Sequence, residues 1–237
     1  MISVLTLTYQ RHSLLEEAIE SFLRQDFSGE SEMLIINDSD QVDYVFEHPK
    51  IRIINLKERF PSIGQKLSFG FSQCKYDYIY RLDDDDLLAP RALRNTWDDI
   101  VSHPGYEIYR SDGHYFFESN RFKGISGSVN NGNVYTKQYL TRIQIPEVSF
   151  GEDYAMTFNF NAKIFESRRA QKTMIYRWGM GTFHISGMGN ASSDTINQRT
   201  DHLVADIAKQ NHTGIEEGLL VLQPHFREDY YQQIQAV

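Results

Sequence analysis

Residues 78–86 read YIYRLDDDD, a short apolar and aromatic run that ends in four consecutive aspartates. Such residues favour strands, so Tyr78–Leu82 is predicted to be a buried strand. In open α/β sheets ligands bind beyond the carboxyl ends of the strands, where these carboxylates would emerge. Mg²⁺ and Mn²⁺ prefer carboxylate oxygens and commonly bridge them to phosphates. The stretch therefore predicts a metal-diphosphate site, and the alternative is a solvated acidic turn that caps a helix beginning near Pro90.

The chain ahead of this stretch alternates strand and helix patterns. The predicted elements are, in order, strand 2–9, helix 13–25, strand 33–36, strand 51–54 and helix 62–71. Ser13 and Glu16 have the arrangement of a capping box at the first helix. This order predicts an α/β fold with a mostly parallel, nucleotide-binding sheet flanked by helices. The ligand edge of that sheet would bring residues 8–10, Asp38 and residues 83–86 together.

The second half of the chain has a different pattern. Residues 107–135 alternate polar with aromatic or β-branched side chains, and Asn131-Gly132 is a hairpin-turn signal, so antiparallel structure is predicted there. The other predicted elements are helix 90–102, helix 151–162, strand 173–178, a glycine-rich loop at 179–189 and helix 194–210. We expect one domain over 1–190, with a nucleotide-binding part at 1–100 and an acceptor part at 101–190, and a C-terminal helical extension at 191–237.

Composition limits the classes of function. The chain has 237 residues and a formal net charge of -8, which argues against a general nucleic-acid binder, since such proteins normally carry a basic face. Its single cysteine, Cys74, excludes an internal disulfide and a cysteine-rich zinc site, and favours a reducing compartment. With no secretory signal pattern and no apolar run of membrane-spanning length, we expect a soluble, cytoplasmic protein without a membrane span.

Taken in order, several segments resemble the family 2 glycosyltransferases with the GT-A fold, over about residues 2–184. The segments that carry the resemblance are Thr8-Tyr9-Gln10-Arg11, Ile35-Ile36-Asn37-Asp38-Ser39, Ile63-Gly64-Gln65-Lys66, Asp83–Asp86 followed by Pro90, and Gly151-Glu152-Asp153. Each motif alone is weak, but their order along the chain is specific. The resemblance implies a GT-A type α/β fold, with a smaller antiparallel part on the acceptor side of the sheet.

The resemblance also implies a site for a nucleoside-diphosphate sugar and for Mn²⁺ or Mg²⁺. The implied nucleotide-binding residues are Thr8, Tyr9, Arg11, Asp38, Lys66, Asp83 and Asp84. Asp85 would be the direct metal ligand, with Asp83 and His184 completing the metal site. Asp83 and Asp84 would reach the metal through water or hold the ribose, and Asp38 would accept a hydrogen bond from the base.

The same residues have plainer interpretations. Asp38 could form an Asx-turn after its strand, and Tyr9 could be a core residue. Arg11 and Lys66 could be solvated surface charges instead of phosphate contacts. A lone histidine such as His184 is more often structural than metal-binding.

The Glu152-Asp153 pair resembles the pair that supplies the general base of these enzymes. Asp153 would remove the proton of the acceptor hydroxyl during attack on the anomeric carbon of the sugar, with Glu152 beside it. The alternative is that both acidic residues start a helix, where they interact favourably with its dipole.

The chain departs from the family pattern at three places. Asn37 stands where an aspartate is usual, and Leu67-Ser68 replace a common Arg-Asn pair, which weakens any inference about the donor. Residues 174–178 resemble the Gln-x-x-Arg-Trp motif of processive members but begin with Met174. This departure favours a single-transfer enzyme.

The resemblance therefore implies metal-dependent, inverting transfer of one sugar from a UDP-sugar to an acceptor hydroxyl. The acceptor would be a glycan, a lipid-linked intermediate or a small molecule, with a protein or a modified nucleic acid base still open. Two rivals are a catalytically silent sugar-nucleotide or carbohydrate-binding module and a sugar-phosphate nucleotidylyltransferase. The second would normally carry a glycine-rich loop after the first strand, and residues 8–12 contain no glycine.

Overall fold

The computed structural model describes residues 1–178 and 218–235. The strands among these residues are β1 Ile2–Thr8, β2 Ser31–Asn37, β3 Asp43–Val45, β4 Ile51–Asn55, β5 Tyr78–Arg81, β6 Leu87–Leu88, β7 Ile108–Ser111, β8 Gly113–Glu118, β9 Arg121–Gly127, β10 Val134–Thr136, β11 Ile164–Ser167, β12 Met174–Trp178 and β13 Leu219–Val221. The helices are α1 His12–Leu23, α2 Ile63–Gln73, α3 Ala92–Ser102, α4 Lys137–Arg142, α5 Glu152–Phe158 and α6 Tyr230–Gln235.

A seven-stranded sheet forms the centre of the fold, in the order β11-β7-β10-β5-β1-β2-β4. Strands β5, β1, β2 and β4 run parallel, and β10 is antiparallel to both of its neighbours. This mostly parallel sheet with flanking helices confirms the predicted fold class. Because the strand order places β5 beside β1 and β2, the segments that follow these three strands meet at one edge.

Both faces of the sheet are covered, which explains the continuous apolar runs of its central strands. Val4 of β1 packs with residues of α1 and α3 on one face, such as Ile19 and Leu93. The next residue, Leu5, packs on the other face with residues of α2 and α5, such as Leu67 and Met156. The alternation of side chains along a strand therefore divides the core into two layers.

A second sheet, in the order β6-β12-β8-β9, contains the antiparallel structure predicted for the second half. Its hairpin turn lies at Ser119 and Asn120, whose φ angles of 49° and 64° are left-handed. The hairpin predicted at Asn131-Gly132 is wrong, because β9 before it and β10 after it belong to different sheets. Gly132 still has the left-handed backbone, with φ 85°, that makes this pair a turn.

Two other local predictions need correction. The N-cap of α1 is Arg11, without a side-chain cap, so Ser13 and Glu16 lie inside the helix and form no capping box. The helix predicted to run to residue 162 is the shorter α5, which ends at Phe158.

The described part of the tail packs on the domain. β13 pairs with β3, and Tyr230 and Ile234 of α6 join a third apolar cluster with Leu87 and Phe117. The predicted glycine-rich loop and the helix at 194–210 lie outside the described residues, and the boundary at residue 190 stays a prediction. Among the described residues, no helix is long and apolar enough to cross a bilayer.

Candidate active site

The four aspartates form a tight turn directly beyond β5. Leu82 donates its backbone N–H to Leu5 of the neighbouring β1, and Asp86 donates its N–H to the carbonyl of Asp83 at 3.2 Å, which closes the turn. Asp83, Asp85 and Asp86 each bring one carboxylate oxygen within 4.8 Å of the others. Three oxygens so close repel one another unless positive charge lies among them, and this donor set fits a hard divalent cation.

Arg11 supplies part of that positive charge from the start of α1. Its guanidinium binds the Asp84 carboxylate with two nitrogens, Nε and Nη2, and its Nη1 donates to Asp85 Oδ2 at 2.8 Å. Asp84 is fully buried, and this burial raises the pKa of Asp84 to about 6, although Arg11 opposes the shift. The interpretation of Arg11 as a solvated surface charge is wrong. The predicted contacts of Arg11 and Asp84 with the nucleotide stay predictions.

Asp86 is held by the second sheet. One carboxylate oxygen accepts from the backbone N–H of Arg177 at 2.9 Å, and the other accepts from the side-chain amide of Asn131. The Arg177 side chain donates to the carbonyl of Asp85 and to the Glu17 carboxylate. The interpretation of the acidic turn as a helix cap is wrong, because the next helix, α3, has Arg91 at its N-cap and no side-chain cap.

The ends of β1 and β2 are joined by Lys66 of α2. Its ammonium donates to the carbonyl of Thr8 at 2.7 Å and to one oxygen of Asp38. The other oxygen of Asp38 accepts from the N–H of Phe60 at 3.0 Å. Burial lowers the pKa of Lys66 while Asp38 opposes the shift, so this is a buried pair and not a surface charge. Thr8 and Asp38 are thus brought together as predicted, and Lys66 joins them, while its predicted contact with the nucleotide stays a prediction.

Two plainer interpretations of residues at this edge, an Asx-turn at Asp38 and a core position for Tyr9, are wrong. The side chain that forms the Asx-type contact is Asn37, whose Oδ1 accepts from the N–H of Ser39 at 3.2 Å, and Asp38 does not form it. Tyr9 is half-buried, and the guanidinium of Arg59 lies 4.2 Å from its ring centroid, so Tyr9 belongs to the surface of the site and not to the core.

The candidate base lies on α5, which begins after Gly151. The backbone of Gly151 is left-handed, with φ 73°, and this conformation turns the chain into the helix. The Asp153 side chain is 29% exposed, and its Oδ1 accepts from the N–H of Tyr154 at 2.6 Å. The neighbouring Glu152 is buried. Its burial raises its pKa to about 7, although Arg81 opposes the shift.

Arg81, the last residue of β5, joins the acidic turn to the candidate base. Its Nη2 lies 3.1 Å from Glu152 Oε1 and 3.3 Å from Asp83 Oδ1, and its Nη1 lies 3.4 Å from Asp153 Oδ2. Two motifs separated by about 70 residues therefore share one guanidinium.

Sequence reasoning missed Arg81 as a site residue because it was treated as part of a buried strand. A charged residue in the middle of an apolar strand run is a signal that could have found it, since a buried charge must be paired. Asn131 and the site role of Arg177 were missed as well. His184 lies outside the described residues, so its metal role stays a prediction.

Comparison with protein families gives one clear match. The model described as glycosyl transferase family 2 matches residues 3–161, which is more than half of the chain. That span includes every site residue predicted above except His184.

Comparison with solved structures finds the same fold in glycosyltransferases of low sequence identity. S. aureus TarS superposes with a TM-score of 0.61 at 15% identity over 91% of this chain, although the chain spans only 40% of that TarS structure. A shorter TarS in complex with UDP-GlcNAc gives 0.62 at 16% identity, covering 91% of this chain and 68% of TarS. A mannosyltransferase from Pyrobaculum calidifontis, in complex with GDP-Man and Mn²⁺, gives 0.58 at 12% identity, with coverages of 89% and 70%.

Proposed function

The chain belongs to glycosyl transferase family 2 and is therefore a glycosyltransferase, and we propose that it transfers one sugar from a UDP-sugar to an acceptor hydroxyl, with inversion and with the help of a divalent cation. The observation that carries this proposal is the meeting of four segments at one edge of the sheet. The turn after β5 provides clustered carboxylates, the ends of β1 and β2 provide Thr8 and Asp38, and α5 provides Asp153.

The donor side of the site is formed by the acidic turn and by the edge of β1 and β2. Asp85 would be the direct metal ligand, with Asp83 and His184, and Asp86 is close enough to take part. A bound Mn²⁺ or Mg²⁺ would neutralise charge that develops on the departing diphosphate. Asp38 and Tyr9 would receive the base. A UDP donor is supported by the TarS complex with UDP-GlcNAc, and Mn²⁺ by the Pyrobaculum complex.

Asp153 would carry the acceptor half of the reaction. In one displacement, the acceptor oxygen attacks the anomeric carbon, its proton passes to the Asp153 carboxylate, and the bond between the sugar and the diphosphate breaks. Attack from the face opposite the leaving group inverts the anomeric configuration. The position of Asp153 across Arg81 from Asp83 supports separate acceptor and donor sides.

The described residues around Asp153 do not select one class of acceptor. A glycan, a lipid-linked intermediate and a small molecule all present a hydroxyl that this base could deprotonate. We propose that the acceptor binds between α5 and residues 126–135.

Calorimetric titration tests the donor half of this proposal without knowledge of the acceptor. UDP, GDP, CDP, ADP and TDP would be titrated into the protein with Mn²⁺ and again with EDTA. We expect tight binding of UDP that EDTA abolishes. Tight binding of another nucleotide would correct the donor, and no binding of any would favour a silent module that has kept the fold.

A further inference from the structure

Arg81 lies between the donor and acceptor sides of the site, in contact with Asp83 and Asp153. Its side chain is only 7% exposed, so it is part of the interior and not a mobile surface charge. Three carboxylates contact it, and they come from two separate parts of the chain. A buried arginine of this kind is costly unless its charge is paired, because water no longer solvates the guanidinium.

The contacts of Arg81 are unequal. Nη2 donates a hydrogen bond to Glu152 at 3.1 Å, and this bond anchors the guanidinium. Among the described residues Nε and Nη1 have no hydrogen-bond partner, so Asp153, 3.4 Å from Nη1, is held by charge alone. Asp83 lies 3.3 Å from Nη2, the nitrogen that already binds Glu152. One guanidinium is thus shared by three carboxyl groups, and the two half-exposed ones, Asp83 and Asp153, compete for it.

That competition links the two sides of the site. A cation or ligand that engages Asp83 weakens the attraction between the Asp83 carboxylate and Arg81. The Arg81 guanidinium then interacts mainly with Glu152 and Asp153, and its interaction with the proposed base, Asp153, becomes stronger. Because Nε and Nη1 are buried, Arg81 acts through these carboxylates and not by direct contact with a substrate.

We propose that Arg81 is a positioning residue that holds the Asp153 carboxylate in place and couples its position to the occupancy of the donor side at Asp83. This inference rests on the proposed function, since it requires Asp153 to be the base. It distinguishes Arg81 from a residue needed only for folding, because its removal should affect turnover and not nucleotide affinity.

The test uses Arg81→Met, Arg81→Lys and the control Arg110→Met in the full chain. Arg110 is an equally buried arginine near α5, lying 5.6 Å from the Phe158 ring and 3.8 Å from Glu166. Among the described residues, Arg110 forms no ion pair with Asp83 or Asp153. The probes are UDP with Mn²⁺ for binding and UDP-GlcNAc hydrolysis for turnover, and circular dichroism checks the fold.

We expect Arg81→Met to bind UDP with Mn²⁺ within about threefold of wild type while hydrolysis falls by about 10²-fold, the lower end of the range for general-base catalysis. Arg81→Lys keeps the charge but not the fork of donors, so it should recover part of the lost turnover. Arg110→Met should retain both binding and hydrolysis. Wild-type hydrolysis in Arg81→Met, or loss of UDP binding in that variant, would overturn the inference.

A double-mutant cycle with Asp153→Asn separates positioning from a general loss of stability. If Arg81 acts through Asp153, the double variant should hydrolyse UDP-GlcNAc no more slowly than Asp153→Asn alone. Additive losses would contradict the inference and leave the proposed function intact. A wild-type protein that neither binds UDP nor hydrolyses the donor would contradict both.

Discussion

Asp85 and Asp153 each form an ion pair with an arginine, and the two pairs lie on opposite sides of the site. Asp85 pairs with Arg11 at 2.8 Å and lies in the carboxylate cluster, while Asp153 pairs with Arg81 outside it. The two carboxylates therefore have separate environments, and their removal should have separable effects.

The contrast between Asp85→Ala and Asp153→Ala is the most direct test of these two roles. We expect Asp85→Ala to abolish Mn²⁺-dependent UDP binding, because it removes the proposed metal ligand. Asp153→Ala should bind UDP normally and lose transfer or hydrolysis. Calorimetry and UDP release measure the two properties, with the exposed Asp40→Ala as a control. Metal-dependent binding that survives in the first variant, or normal turnover in the second, would refute the assignment.

Glu152 should make the stability of the fold depend on pH. Its burial raises its pKa from 4.5 to about 7, so between these values the folded state binds the proton more tightly than the unfolded state does. The free energy of unfolding then falls as pH rises through this window, by at most about 3 kcal/mol from this group.

Glu152→Gln removes this ionisation and keeps a carbonyl oxygen that can accept from Arg81. Relative to the variant, we expect wild type to lose stability between pH 5 and pH 8, as measured by urea denaturation. Asp84, which also titrates in this window, is present in both proteins and cancels in the comparison. A stability difference that stays constant over the two pH values would show that Glu152 does not titrate there.

At the scale of elements, α2 and the segment that leads to α5 fit together through Gly64. The N–H of Gly64 donates to the carbonyl of Val148 at 3.0 Å. A Cβ at this position would lie 1.8 Å from the carbonyl oxygen of Pro146, so only glycine allows this approach. The same helix carries Lys66, so one glycine fixes elements on both the donor and the acceptor sides.

Gly64→Ala should therefore destabilise the protein although alanine is the better helix former. We expect a cost of about 1–3 kcal/mol, typical of overpacking, and a fall in Tm of about 3–10 °C. Gly127→Ala is the matched control, because a Cβ there meets nothing within 4 Å. Equal melting temperatures for the two variants would mean that the segment at 146–148 can move aside at no cost.

The elements were largely predictable from the sequence, and the pairing of charges was not. The apolar runs of β1, β2 and β5 predicted a covered parallel sheet, and the acidic run predicted where the site would lie. The partners of Arg11 and Arg177 are 73 and 160 residues away along the chain, at Asp84 and Glu17. No local pattern specifies such pairs, since they depend on which elements the whole fold brings together.

At the scale of the whole molecule, the C-terminal tail contacts the acidic turn through Arg177. The hydroxyl of Tyr230 lies 3.3 Å from Arg177 Nη1, and Arg177 in turn contacts Asp85 and Glu17. Tyr231 donates to the carbonyl of Leu88 at 2.8 Å, next to the same turn. The residues that close the site thus come from both ends of the described chain.

Tyr230→Ala should affect both stability and the donor side. Because Tyr230 is fully buried, we expect a loss of about 3–5 kcal/mol and weaker Mn²⁺-dependent UDP binding. Tyr106→Ala, at a tyrosine that is 37% exposed, is the control and should cost much less. Urea denaturation measures the stability and calorimetry measures the UDP affinity. Unchanged UDP affinity in a folded Tyr230→Ala protein would show that the tail does not influence donor binding.

The contact between Tyr231 and Leu88 can form only some time after Leu88 has been synthesised. These residues are 143 positions apart, so at 5–20 residues per second roughly 7–30 s pass between their additions to the nascent chain. For that time the apolar Leu87 and the carboxylate of Glu17 have no cover from the tail. The packing behind the acidic turn is therefore completed only after all the strands of the central sheet have been synthesised.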